Sequence, residues 1–144
     1  MTNITRQQAL DRLQNDWATY AARFRALSPE AQAKFLETSG FARFGDMLAH
    51  INAWFEEADK VIMHVLDDPA YKWAPVNVDE FNAEAVKQSS SLSDEEIINS
   101  YEVMREAMID LVTNLPDDAF QNETVQDWLE ADIFGHIEEH DIPK

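Results

Sequence analysis

Three histidines carry the chemistry that this sequence advertises. His136 and His140 stand four residues apart in FGHIEEHDIPK, and His50 lies far upstream in DMLAHINAWFEEA. On a helix an i, i+4 pair places both imidazoles on one face, a turn apart, where they can share a metal ion. A third histidine from another helix completes a three-imidazole set and leaves one position open for water or substrate. Such an ion would act as a Lewis acid, lowering the pKa of a bound water or of an external thiol. The chain has no cysteine, so a thiol nucleophile would have to come from solution.

The neighbours of each histidine test this reading. At 100° per residue His136 and His140 project to the same side as Leu129 and Ile133, with Asp127 and Glu138 pointing away. The pair is therefore expected to face inward, and two inward imidazoles need polar partners. His50 sits at the edge of an apolar stripe, near Trp54 and Val61, where a histidine buried for packing alone is the competing reading. Asp46, Glu57 and Asp132 each lie one or two turns from a histidine and are candidates to close the shell. Glu139 is a candidate base or a solvated charge. Trp54 and Asn82 are candidate pocket residues, with core packing the alternative for Trp54. His64 follows His50 by fourteen residues, about 21 Å along one helix axis, and is excluded from the same ion.

HIEEH also fits the H-x-x-E-H protease pattern, but that chemistry needs a larger catalytic domain with a further ligand. Glu-x-x-His spacing is absent, since Ile133, Ile137 and Met47 occupy the positions three before His136, His140 and His50. One metal is expected rather than two. Three glycines cannot build a phosphate loop, and no nucleophile elbow is visible.

The elements that must position these residues read as helices. Thr5 and Gln8 have capping-box spacing, and Leu10, Leu13, Trp17, Tyr20, Phe24 and Leu27 form a stripe over residues 5–27. Ser28-Pro29 starts a short piece near 30–36. A second long helix spans about 44–66 and stops at Asp67-Asp68-Pro69. Ser93 and Glu96 open a third, which Pro116 ends, and a fourth follows a cap at Thr124. About 26 residues separate the second and third helices, with VDEFNAEAVKQ read as a short helix capped by Asp79. A connection of that length crosses a bundle. The expectation is one all-α domain over 1–144, a four-helix bundle with an up-down-down-up path.

The net charge of −17, from 28 acidic and 11 basic residues, repels phosphate backbones and excludes nucleic acid as a partner. No apolar run reaches membrane-spanning length and no signal peptide is visible, so a cytoplasmic protein without a membrane partner is expected. Phe134 and Met63 fall on outer helix faces, which suggests a homodimer.

DMLAHINAWFEEA, EFNAEAVKQ, LPDDAF and WLEADIFGHIEEH, in this order and spacing, resemble the DinB-like superfamily, which includes the ClbS/DfsB group. The resemblance covers almost the whole chain. It implies a four-helix bundle, commonly dimeric, and a divalent metal, often zinc or nickel, on residues matching His50, His136 and His140. It also implies a small-molecule substrate and metal-dependent transferase or isomerase chemistry with a low-molecular-weight thiol, or hydrolysis as in ClbS-like members. Phe41 to Phe44 departs from the Trp-Ser-like start of the second helix usual in that family. The alternative is a non-catalytic bundle that binds a ligand or partner, its metal structural or absent.

Overall fold

The computed structural model describes residues 3–143, and among them every regular element is helical. The long helices follow their sequence signals. Arg6–Asp11 (α1) starts on Thr5, whose side chain accepts from the Gln8 amide while Gln8 answers the Thr5 amide. Pro29–Ser39 (α3) carries Pro at its first turn and ends on Gly40, which adopts the left-handed conformation (φ 82°) that glycine tolerates best. Phe44–Asp67 (α4) and Asp94–Asn114 (α6) match the two strongest apolar stripes, and α6 opens with the Ser93–Glu96 capping box.

Three local readings change. The first helix is not one continuous α-helix: α1 runs into a π turn at Arg12–Asp16 before Tyr20–Ala26 (α2). The crossover helix Val78–Gln88 (α5) is capped by Asn77, whose side chain accepts from the Glu80 amide, so Asp79 lies inside it. The last helix starts two residues early: Glu123–Leu129 (α7) is capped by Asn122 through the Val125 amide, not by Thr124. It then passes through a second π turn, Glu130–Gly135, into His136–Glu139 (α8). A stripe of alternating threes and fours survives one wide turn, which is why periodicity hides both.

α4 and α6 pack along each other, α1 lies on α6, and α7 with the second π turn lies on α4. The first two turns of α4, Phe44 to Ile51, are buried on every face. Gly45 makes this possible: its amide donates to Asp94 Oδ1 at 3.1 Å, and a Cβ there would overlap that carboxylate. Arg43, just ahead, joins Asp46 at 2.9 Å to the carbonyls of Ser89 and Leu92, tying α4 to the end of the crossover.

The core centres on Trp17, fully buried, with Tyr20, Phe55 and Tyr101 ring centroids 5.2, 5.3 and 6.5 Å away. Each polar edge of this cluster is used. Trp17 Nε1 donates to the Ile133 carbonyl (2.9 Å), Tyr101 to the Trp17 carbonyl (2.6 Å) and Tyr20 to the His140 carbonyl (2.6 Å). The first two bonds link the opening helical segment to α6 and to the second π turn; the third reaches the end of α8. Phe134 is half-buried, with the Arg12 guanidinium 4.8 Å over its ring, while Met63, the other residue on which the expected dimer leaned, is 51% exposed. No helix among the described residues is long and apolar enough to cross a membrane.

Candidate functional site

Two helices bring the three histidines together. His50, 7% exposed, lies in the second turn of α4, inside the stretch that is buried all round. His136 is the first residue of α8, directly after the π turn, and His140 closes that helix, its amide bonded to the His136 carbonyl at 2.9 Å. The ring centroids of His50 and His136 are 5.3 Å apart, those of His50 and His140 5.4 Å, and those of His136 and His140 6.1 Å. His64 is elsewhere, exposed and stacked on Tyr71 at 3.7 Å.

The hydrogen bonds around His50 fix its proton. Trp54 Nε1 donates to Asn82 Oδ1 at 2.7 Å, and indole nitrogen is a donor only, so the Asn82 atom between the rings is the amide oxygen. His50 Nδ1 lies 3.0 Å from that same oxygen. Nδ1 therefore carries the hydrogen, and Nε2 keeps its lone pair. An asparagine on the crossover helix thus sets a histidine on α4 in the tautomer a metal ligand needs.

The other two rings are less satisfied. His136 Nδ1 and His140 Nε2 are buried without a hydrogen-bond partner among the described residues, and so is Asp132 Oδ2. Asp132 Oδ1 stands 3.6 Å from His136 Nδ1, one turn earlier on the same face, just beyond bonding distance. Glu139, largely exposed, lies 4.0 Å from His140 Nε2. Burial pushes His50 down to about 4, helped by a charge on His140, and His136 down to about 3, helped by His50 and His140. Burial also lowers His140 and holds Asp132 well above the usual carboxylate range, with Glu57 adding to the latter. The cluster is therefore neutral at neutral pH, the form in which imidazole binds metals.

Among the described residues no three His, Asp or Glu side chains are already aimed at one point as an ion would require. The donor set nevertheless fits a divalent ion. Three imidazoles bound tetrahedrally at ~2.0–2.1 Å have centroids about 5 Å apart, close to the spacings here. Two nitrogens that burial leaves without partners are the atoms a shared ion would satisfy. The suggested fourth carboxylates separate: Asp46 is bonded to Arg43, Glu57 accepts from Trp73 Nε1 at 3.1 Å, and Asp132 alone keeps a free buried oxygen.

A cavity of about 590 Å³ opens in front of His50 and His136. Trp54 and Asn82, the two pocket candidates, line it, together with Trp73 from the crossover and Trp128 from α7. Trp128, Asp132 and His136 recur by fours, a spacing from which the sequence reading drew Asp132 and His136 but not Trp128. Trp73 comes from an irregular stretch with no periodicity to announce it. Phe41 walls the other side, its centroid 5.4 Å from His50 and 6.1 Å from His140, so the departure noted at Phe41 falls beside the imidazoles. No family model, no curated protein and no solved structure matches this chain.

Proposed function

We propose that this chain is a DinB-like four-helix bundle, with an up-down-down-up path, whose His50, His136 and His140 hold one divalent metal, zinc or nickel. Its activity is the metal-dependent transfer of an external thiol to, or the hydrolysis of, a small electrophilic substrate. The observation that carries this reading is the convergence of three neutral imidazoles, two buried and one half-buried, two of them with unpartnered nitrogens, at the head of an aromatic-walled cavity. When bound, the ion supplies Lewis acidity toward the substrate and the nucleophile.

The chain's own residues do the rest. Asn82 holds the His50 ring with Nε2 free. Asp132 Oδ1 sits 3.6 Å from His136 Nδ1, beside the nitrogen that would meet the ion. Trp54, Trp73 and Trp128 exclude water from one side of the substrate, and Glu139 at the rim is placed to exchange a proton with solvent.

Elemental analysis of protein prepared without a His-tag tests the metal. About one divalent ion per chain is expected, removed by chelator, restored on reloading, and lost in His50→Ala and His140→Ala. Protein that neither retains nor takes up metal would end the proposal. Electrophile panels with thiol or with water alone then separate transferase from hydrolase. Metal uptake without turnover in either panel favours the alternative, a non-catalytic ligand-binding bundle.

A further inference from the structure

We propose that the cavity in front of His50 and His136 selects a small apolar organic cation, an alkylammonium or comparable onium group, held against tryptophan faces. This deepens the reading just given, because it names the class of molecule that fills the space before the imidazoles.

Three of the chain's four tryptophans line this one cavity. Their centroids are 5.1 to 6.2 Å apart, and all three rings are half-buried, so each presents surface to the space. An indole face is the most favourable aromatic surface for a cation, because the ring quadrupole places negative potential above its plane. Two of the three indole edges are already used: Trp54 Nε1 donates to Asn82 and Trp73 Nε1 to Glu57. Those two donors are not available to an anion, and their faces are what remains.

The charged groups point the same way. No lysine or arginine is among the twelve residues lining the cavity, whereas the carboxylates of Asp127 and Glu139 are, beside the buried carboxyl of Asp132. Asp132 is 3% exposed and one of its oxygens has no partner among the described residues, so the wall holds a buried acceptor that the protein does not use. The net charge of −17 concentrates cations at the mouth. The volume of about 590 Å³ lies in the range of small-molecule sites. An anionic substrate would meet no lysine or arginine on these walls.

Tryptophan fluorescence reads this directly, since Trp17 is sealed in the core and the other three indoles all face the cavity. The probes are three molecules of matched shape: choline, 3,3-dimethylbutan-1-ol and 3,3-dimethylbutanoate. They are titrated first into chelator-treated protein, so that the carboxylate cannot bind by ligating a metal. Choline is expected to bind about tenfold or more tightly than the neutral alcohol, and the carboxylate more weakly than either. Trp128→Leu and Trp73→Leu should each shrink the choline-to-alcohol ratio severalfold while far-UV circular dichroism stays unchanged. Equal affinity for choline and the alcohol, tighter binding of the carboxylate, or a ratio that both variants leave intact would overturn the proposal. A cation preference in protein that takes up no metal upholds this inference and removes the metal. Metal uptake with no cation preference does the reverse.

Discussion

Two aromatic clusters lie within one small bundle and treat their polar atoms in opposite ways. Around Trp17 every indole and phenol group named above has a partner, and the rings are sealed from solvent. Around His50 the rings are half-exposed, two imidazole nitrogens and a carboxylate oxygen are buried without partners, and a cavity opens beside them. An unpaired buried polar atom costs roughly 1–3 kcal/mol, so the second cluster lowers the stability of the ligand-free chain. The first cluster holds the fold, and the second is held by it. Tyr20 joins them, stacking beside Trp17 while its hydroxyl grips the carbonyl of His140.

Variants can pull this contrast apart. The largest effect belongs to the sealed cluster. Trp17→Ala should cost about 3–5 kcal/mol, measured by urea unfolding, because it opens a cavity and leaves the Ile133 carbonyl without its indole donor. A loss below about 1 kcal/mol would mean that Trp17 is not the centre of the core.

Next is pH, read on metal-free protein. His50 has its folded pKa lowered to about 4, against 6.5 for the ordinary imidazole. Its contribution to stability is therefore complete above pH 6.5 and is lost as pH falls from 6.5 toward 4. The magnitude is on the order of 3–4 kcal/mol at most. His136 acts in the same direction, down to about 3. Asp132 runs the opposite way: a raised carboxyl contributes at low pH and loses that contribution as pH rises through its folded pKa. Melting temperatures across this window should thus fall less steeply with acid in His50→Leu, and more steeply in Asp132→Asn, than in the wild type. Identical slopes in all three would show that these groups are not buried neutral.

Asn82→Leu comes third. It removes the acceptor shared by Trp54 and His50 and should cost about 1–2 kcal/mol. Its specific signature is in ¹⁵N chemical shifts of the His50 ring, which should move from the Nδ1–H tautomer to a mixture. Unchanged shifts would mean that Asn82 does not set the tautomer. The smallest effect is expected at His136→Leu, which removes a buried nitrogen that bonds to nothing. Metal-free protein should be unaffected or slightly stabilised in thermal melts, even as metal uptake disappears. A loss of 2 kcal/mol or more would show that His136 has a partner when the site is empty of metal, and would erase the contrast with Trp17.

The sequence made the long elements readable because their signals are local. Pro69 ends α4, the Ser93–Glu96 capping box and Pro116 bound α6, and the Thr5–Gln8 box opens α1, all without help from the rest of the chain. His50, His136 and His140 were legible as candidates because spacing by four and burial on a stripe are both written in the chain. Other features depended on distant residues. Asn122 displaced Thr124 as a cap, although both types cap well, because the helix could begin two residues earlier. Trp73 reached the cavity through an irregular crossover, and only the packed structure could pair its indole with Glu57. Phe134 looked surplus on a helical projection until Arg12, more than a hundred residues away, covered it.

The π turn at Glu130–Gly135 has an evolutionary consequence. A π turn is an α-helix that has accepted an extra residue without losing its ends. The orientation of His136 and His140 relative to Leu129 is therefore stored as an insertion rather than as any particular side chain. Loss of one residue between 130 and 135 would restore an ordinary helix and swing everything after it by about 100°. The apolar stripe before the deletion would stay intact while both imidazoles turned away from His50. Among descendants of such a chain, a single-residue gap would mark the branch that kept the bundle and gave up the site.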